Sequence, residues 1–340
     1  MIVTNSCQTE RPTLRLLVWE GYAEPSVIGP FEAAHNCRVT ASYIKNSDDL
    51  LGRLRTGSYD IISPSSDIAT TVARSGLVEH LNLSKISSYM ELSPRLLQLP
   101  LVRLKGKSVL PFMAAKDRVY GVPFMWGSNT LVYNTTMFRR PPSTWAVLWD
   151  PRYQGKVSVW DDLSTVYMAA QLLGYDKPNP DVLYNLTDQQ LEVVTNELLA
   201  LKRNIFRSWS SASDLEDLFE NQHVAVAMGW PLITKQLKDR RFPIDEVIPR
   251  ENTTGWIDYL MIPSNGMHRD LAYKFVDYMI QEQVQKRVGH ATGYVPANER
   301  AALSADSEAT VQAYWEHIDF WQEVPNRRKY IEIWEKARVP

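Results

Sequence analysis

Aromatic and acidic residues recur at the ends of short segments that are predicted to be strands. They form five groups: Trp19-Glu20 with Tyr22, Ser65-Ser66-Asp67, Asp161-Asp162, Trp230, and Trp256 with Asp258. In an open α/β sheet, ligands bind beyond the carboxyl ends of the strands, so these groups can meet in one cleft. Trp and Tyr faces attract cations with about 0.5–2 kcal/mol per contact, and a carboxylate adds a charge-assisted hydrogen bond. The residue types therefore predict a cleft that binds an organic amine.

Each group also has a purely structural interpretation. Ser65 is well placed to cap a helix, and Asp161 and Asp162 could cap a helix that begins near Ser164. The tryptophans could belong to the core, and the charged loop residues could be solvated. The repetition after several strands favours a site, although both interpretations stay open at each position.

Sequence motifs of covalent or metal chemistry are absent. The chain contains no GxSxG, GxxxxGK[ST] or GxGxxG motif, and its six histidines occur singly. The two cysteines, Cys7 and Cys37, have no CxxC spacing. We therefore expect no catalytic residue, no metal and no cofactor. Because Cys7 and Cys37 each precede one of the first two predicted strands, a disulfide and two free thiols are both open.

The composition is that of a folded protein of about two domains. The chain has 340 residues, of which 44% are hydrophobic and 22% charged, and its formal net charge is −2. This balance excludes a disordered chain and argues against nucleic-acid binding. The first eleven residues contain no apolar core of a signal peptide, so either the protein is cytoplasmic or a leader has been removed.

The order of the apolar segments predicts an α/β architecture. Residues 14–18, 39–44 and 59–62 are typical of buried parallel strands, and helices are predicted to begin near Pro25 and Ser47. This alternation favours a parallel sheet with helices on both faces.

Later segments predict a second α/β unit. Residues 120–126 and 129–134 are extended segments separated by Gly127, which indicates a crossover into this unit. Thr187 and Gln190 match a capping box before a helix. Further strands are predicted at residues 156–160, 224–228 and 258–262. No flexible tether is visible between the units, so we expect a hinge.

Over residues 14–337, the sequence resembles the periplasmic spermidine/putrescine-binding proteins, the receptors of polyamine ABC transporters. The resemblance depends on an ordered set of markers: VWEGY at 18–22, YDIISPS at 59–65, YGVPFMWG at 120–127, Tyr133-Asn134, Ser143-Thr144-Trp145, Leu148-Trp149, Gly155-Lys156-Val157, Gly229-Trp230, Trp256-Ile257-Asp258, Gly293-Tyr294, Asn298 and Trp321-Gln322. It implies a two-domain type II periplasmic binding protein fold, with hinge crossovers and an interdomain ligand cleft. The implied lobes are residues 12–120 plus 257–302, and 121–256 plus 303–340.

The resemblance also implies a site. An aromatic box would fall on Trp19, Tyr22, Trp230, Trp256 and Tyr294. Asp258 would hold the ammonium, Asp162 would accept an end group, and Ser65 and Gln322 would make polar contacts.

The chain departs from the family pattern at charged positions. It has Thr165 where a second carboxylate is usual, Glu20 where relatives have Ser or Thr, and Asp67, next to Ser66, in place of an aromatic residue. Arg207 aligns near a cleft-lining segment, where it would favour a carboxylate-bearing ligand, although it could equally be a surface charge.

We therefore predict a monomeric substrate-binding protein of the periplasm, with its leader removed, that captures a polyamine or related amine and delivers it to a membrane permease. A receptor for a small amino acid such as γ-aminobutyrate, or for an amine-bearing conjugate, is the alternative. A ligand sensor or an enzyme on the same scaffold represents another class.

Overall fold

A computed structural model describes residues 11–98, 102–104, 107–109, 113–114, 118–177, 179–305 and 308–339. Their larger sheets have three strands in one case and four in each of two others. None of the described helices is long and apolar enough to cross a membrane.

The amino-terminal part alternates strands and helices. Its elements are β1 (Thr13–Val18), α1 (Pro25–His35), β2 (Arg38–Tyr43), α2 (Ser47–Thr56), β3 (Ile61–Ile62) and α3 (Ser66–Arg74). β1 lies between β2 and β3 and is parallel to both, which confirms the predicted parallel unit. α2 begins at Ser47, as predicted, and its cap is Asn46, whose side chain accepts a hydrogen bond from the Asp49 amide.

A connecting region of short elements follows. They are 3₁₀ turns at Leu83–Lys85 and Ser87–Glu91, then α4 (Pro94–Gln98), β4 (Val102–Leu104), β5 (Lys107–Val109), β6 (Met113–Ala114) and β7 (Arg118–Val119). β4 pairs with β5, and β6 pairs with β7, both antiparallel.

The remaining elements build the two four-stranded sheets and the helices that cover them. The strands are β8 (Val122–Ser128), β9 (Thr130–Asn134), β10 (Val157–Ser158), β11 (Val226–Gly229), β12 (Ile244–Val247), β13 (Thr253–Leu260), β14 (Val295–Pro296) and β15 (Ile318–Phe320). The helices are α5 (Ser164–Leu172), α6 (Asp188–Leu201), α7 (Ala212–Glu220), α8 (Pro231–Asp239), α9 (Arg269–Met279), α10 (Glu282–Thr292), α11 (Glu299–Ala305), α12 (Glu308–Glu316) and α13 (Arg327–Ala337). Additional 3₁₀ turns are Trp145–Trp149, Pro151–Tyr153 and Pro180–Tyr184.

The chain passes from one four-stranded sheet to the other at Asn129. β8 belongs to the sheet ordered β14-β8-β13-β15, and β9 to the sheet ordered β10-β11-β9-β12. The buried Asn129 amide donates to the Thr254 carbonyl at 2.9 Å, which ties this crossover to β13. The predicted change of unit in this region is therefore present. The predicted lobe boundaries near residues 120 and 256 stay a prediction, and strand pairing favours placing the first crossover at residue 129.

β13 is longer than predicted and begins five residues earlier. Its first residues pair with β15, and it runs antiparallel to β8 from Gly255 to Leu260. An additional bridge joins Ser65 to Asp258, so β13 also contacts the segment after β3. A single strand thus joins the β1–β3 unit to the carboxyl-terminal elements.

Candidate functional site

Nine buried or half-buried side chains from distant parts of the chain line one small cavity. They are Trp19, Glu20, Ser65, Trp160, Trp230, Trp256, Asp258, Tyr294 and Trp321. Seven of them are predicted site residues, and Trp160 and Trp321 are not. The meeting of Trp19, Trp230, Trp256 and Asp258 in one cavity is the juxtaposition on which the sequence interpretation depended.

Strand pairing positions the carboxylate of this cavity. Asp258 lies in β13, opposite Ser65, which is the residue before α3. The Ser65 hydroxyl donates to Oδ1 of Asp258 and accepts no capping hydrogen bond from the backbone of α3. The Tyr22 hydroxyl donates to Oδ2 at 2.5 Å. Both oxygens of Asp258 therefore accept hydrogen bonds from the β1–β3 unit, and the ring of Tyr22 lies behind the carboxylate, outside the cavity lining.

Burial controls the charge of Asp258. Only 2% of the residue is exposed, and this loss of solvent raises the pKa of its carboxyl from 3.8 to about 7. The hydrogen bonds from Ser65 and Tyr22 partly offset the increase because they stabilise the ionised form. A bound cation would act in the same direction, so the site is prepared for an ammonium group.

The aromatic rings form a continuous wall. The centroids of Trp160 and Trp230 are 4.6 Å apart with the rings nearly perpendicular. Trp256 lies 5.2 Å from Tyr294 and 5.6 Å from Trp321, and Trp321 lies 5.9 Å from Trp160. The pairs Trp160–Trp230 and Trp256–Tyr294 are edge-to-face, and the two pairs that involve Trp321 are tilted. Such packing fixes the rings and presents their electron-rich faces at defined angles.

Two glycines with positive φ allow the backbone turns beside residues of this aromatic wall. Gly21 has a φ of 84° and separates Glu20 from Tyr22. Gly293 has a φ of 73°, ends α10 and directs the chain into Tyr294. Both values lie in the left-handed region, where a side chain would be strained.

Glu20 lines the cavity and also connects two parts of the molecule. Its Oε2 accepts a hydrogen bond of 2.7 Å from the Ala212 amide at the start of α7. Burial raises the pKa of this carboxyl, and the Glu216 and Asp214 carboxylates add to the increase. The positive end of the α7 dipole favours the ionised form, so Glu20 acts as a helix cap.

Three predicted acidic or polar residues lie outside the cavity lining because they have other partners. Asp162 accepts from the Ser164 amide at 2.8 Å, which is the capping role considered for it. Asp67 forms an ion pair of 2.9 Å with Arg327. The Gln322 amide donates to Asp181 at 2.7 Å.

Three more predicted residues are also not part of the lining. Ser66 is fully buried within the first turn of α3. Thr165 is buried and donates to the Trp160 carbonyl at 2.7 Å, so it supports a cavity residue from behind. Arg207 is exposed, as the surface interpretation has it, and the structure does not bring it to the cavity.

Trp160 and Trp321 are the cavity residues that sequence reasoning missed. Trp160 follows β10 closely, and Trp321 comes directly after β15. Both therefore obey the strand-end rule that identified the others, and that rule could have found them.

Only one of the two cysteines of the possible disulfide lies among the described residues. Cys37 is buried, and Cys7 lies outside the described residues, so the disulfide stays a prediction. Among the described residues, no group of three or more His, Cys, Asp or Glu side chains could hold a metal ion.

Comparison with known structures establishes the fold class. The structure titled a putative spermidine/putrescine ABC transporter from Listeria monocytogenes superimposes with a TM-score of 0.78 at 20% identity, covering 96% of this chain and 98% of the other. The PBP MotA of A. tumefaciens B6, in complex with glucopine, gives 0.76 at 16% identity, covering 96% and 100%. The predicted two-domain α/β fold of a periplasmic binding protein is confirmed.

Sequence comparison establishes the family. The model of the bacterial extracellular solute-binding proteins matches residues 26–317, and the chain belongs to this family. The spermidine/putrescine-binding periplasmic protein of Escherichia coli strain K12 is 27% identical over 292 residues, covering 84% of this chain and 78% of that protein. The protein is therefore a substrate-binding component of a transporter and not an enzyme, as predicted. Proteins of this kind bind a small ligand and deliver it to a membrane permease.

Proposed function

We propose that the protein captures a small amine in the cavity around Asp258 and delivers it to the permease of an ABC transporter. The observation that carries the proposal is the enclosure of one buried carboxylate by tryptophan and tyrosine rings. An ammonium group there gains a charge-assisted hydrogen bond and cation–π contacts in a site without competing water.

The names of the relatives support an amine as the ligand. The E. coli relative is a spermidine/putrescine-binding periplasmic protein, and the Listeria structure carries the same two polyamines in its title. The E. coli relative is a periplasmic protein, which supports the same location here. We also propose that the protein acts as a monomer and without nucleic acid. The rationale for an amino acid ligand through Arg207 has lost its support, because that side chain is exposed.

Replacement of the central carboxylate tests the proposal. Asp258→Asn keeps the shape of the side chain but removes its charge, so we expect the affinity for short primary amines to fall at least about tenfold. Isothermal titration calorimetry with putrescine and 1-aminopentane measures this directly.

Asp319→Asn is the matched control. Asp319 is also buried and accepts a hydrogen bond of 2.8 Å from Gln171, but it does not line the cavity. Its replacement should leave amine affinity unchanged. Equal affinities of wild type and Asp258→Asn, or no amine binding at all by the wild type, would contradict the proposal.

A further inference from the structure

Three tryptophans of the cavity lining carry unpaired hydrogen-bond donors that a bare polyamine cannot satisfy. The indole N–H groups of Trp160, Trp230 and Trp321 are buried and have no hydrogen-bond partner among the described residues. All three rings line the cavity, and each residue is at most 5% exposed. An indole N–H can only donate, so each needs an acceptor atom. An ammonium group has donors only and cannot provide one.

The carboxylates in and near the cavity favour a ligand with one ammonium group over a ligand with two. Glu20 and Asp258 are the acidic residues of the described lining. One oxygen of Glu20 is already bound to the start of α7, at Ala212. Asp162 and Asp67, the other predicted acceptors, bind Ser164 and Arg327 instead. Asp258 thus remains as the acceptor for a single ammonium group.

We propose that the solute is a short primary amine that carries an oxygen acceptor at its other end. This inference rests on the proposed function, because it assumes that Asp258 holds the amine. The ammonium binds Asp258, and the oxygen accepts hydrogen bonds from up to two of the indole groups of Trp160, Trp230 and Trp321. A polymethylene diamine leaves these donors unpaired and places a second charge among them.

The charge of the lining favours an uncharged oxygen over a carboxylate. The nine described residues around the cavity include no Lys, Arg or His. A ligand carboxylate would face Glu20 and Asp258 without a cationic partner, which is costly in a buried site. A hydroxyl or carbonyl oxygen accepts from the indole groups without this cost.

A series of ligands of nearly equal size tests the proposal on the wild-type protein. The series is 4-amino-1-butanol, putrescine, 1-aminopentane and γ-aminobutyrate, which differ only at the end opposite one amine. Calorimetry at pH 8 measures their affinities. We expect 4-amino-1-butanol to bind at least tenfold more tightly than putrescine or 1-aminopentane, because only it pairs the indole donors without adding charge.

The outcomes separate this proposal from the proposed function. The proposal of an oxygen acceptor is supported if 4-amino-1-butanol or γ-aminobutyrate binds more tightly than putrescine and 1-aminopentane. The order of 4-amino-1-butanol and γ-aminobutyrate then identifies the charge of the oxygen-bearing group. If putrescine or 1-aminopentane binds as tightly as both oxygen-bearing amines, the proposal of an oxygen acceptor is overturned, but the proposed amine site is not. Absence of binding by all four would overturn the proposed function as well.

Removal of single indole donors provides an independent arm. Trp230→Phe and Trp321→Phe keep an aromatic ring but lose the N–H group, so the preference for 4-amino-1-butanol over 1-aminopentane should shrink several-fold in each. Trp315→Phe is the control, because Trp315 packs against Trp126, away from the cavity. An unchanged preference in both cavity variants would count against the indole groups as donors.

Discussion

Asp258 illustrates how a single carboxyl acquires its properties from residues far away in the sequence. Its hydrogen-bond donors, Tyr22 and Ser65, lie 236 and 193 positions earlier in the chain. They come to the carboxyl because β13 pairs beside the segment that follows β3. The residue type was predictable, but its pKa of about 7 results from burial, which only packing produces.

This pKa predicts a pH dependence of ligand binding. An ammonium group pairs with the ionised carboxyl only, so amine affinity should decrease about tenfold per unit as the pH falls below 7. Calorimetry between pH 5 and pH 8 measures the slope. Asp258→Asn should lose it, whereas Asp162→Asn should keep it, because Asp162 has a similar pKa but does not line the cavity. A flat profile in the wild type would contradict the assignment.

The raised pKa of Asp258 also affects the stability of the ligand-free protein, which should decrease with rising pH, whereas amine affinity should increase. A carboxyl whose pKa is higher in the folded state than in the unfolded state binds its proton more strongly when folded. The contribution of Asp258 to the free energy of unfolding therefore decreases as the pH rises from its ordinary pKa of 3.8 to about 7. Bound amine offsets this loss, so thermal stabilisation by ligand should be larger at pH 8 than at pH 5.5.

At the scale of elements, the ends of helices and strands hold most of the site. Trp230 precedes α8, Ser65 precedes α3, and Tyr294 follows α10. These are positions where the backbone changes direction and side chains are free to project beyond the sheet. Helix interiors, in contrast, supply the packing that keeps those ends in place.

The helix α6 allows the packing role to be tested apart from binding. The sequence predicted its capping box, and the structure confirms it: Thr187 accepts from the Gln190 amide, and Gln190 accepts from the Thr187 amide. Thr187→Ala should lower the free energy of unfolding by about 1 kcal/mol, measured by urea denaturation. Amine affinity should not change, because no residue of α6 lines the cavity.

Thr195→Ala is the control in the same helix. The Thr195 hydroxyl only bonds back to the Leu191 carbonyl, and alanine is the better helix former in an interior position. We expect stability to change little. If Thr187→Ala and Thr195→Ala lower the free energy of unfolding equally, the effect of Thr187→Ala is not due to the loss of its cap.

At the scale of the whole molecule, an ion-pair cluster joins the two parts that enclose the cavity. Arg327 of α13 forms two hydrogen bonds of 3.0 Å to Asp48 of α2 and one of 2.9 Å to the buried Asp67 of α3. The Ser47 hydroxyl donates to the other oxygen of Asp67 at 2.8 Å. Because α13 packs on α5 and α6, this cluster ties the amino-terminal unit to the other side of the cavity.

Loss of this cluster should weaken closure. Arg327→Gln leaves Asp67 buried without its cation, which is strongly unfavourable, so the closed form should be destabilised and the affinity for amine should fall at least about tenfold. Calorimetry gives the affinity, and small-angle scattering with ligand gives the radius of gyration, which should increase. Arg328→Gln is the neighbouring control, because Arg328 is exposed and pairs only within α13 with Glu332. Equal behaviour of the two variants would show that the cluster does not stabilise closure.

By itself, the sequence was sufficient for the class of fold and for the prediction of an amine ligand. Alternating apolar segments predict parallel strands and helices because their periodicity follows directly from burial of one face, and Trp, Tyr and Asp are recognisable by type. Its predicted residues include six that line the cavity, namely Trp19, Ser65, Trp230, Trp256, Asp258 and Tyr294, although Trp256 and Asp258 lie within β13 and not at its end.

Only the tertiary structure decided which charged groups remain available to a ligand. Asp67, Asp162 and Gln322 were indistinguishable from site residues until their partners Arg327, Ser164 and Asp181 were placed beside them. The pairings of Asp67 and Gln322 join positions far apart in the chain, which local patterns do not encode. The pairing of Asp162 with Ser164 is local, and the structure decided between the two interpretations left open for Asp162. The same holds for the unpaired indole donors, because a missing partner becomes visible only when every neighbour is in position.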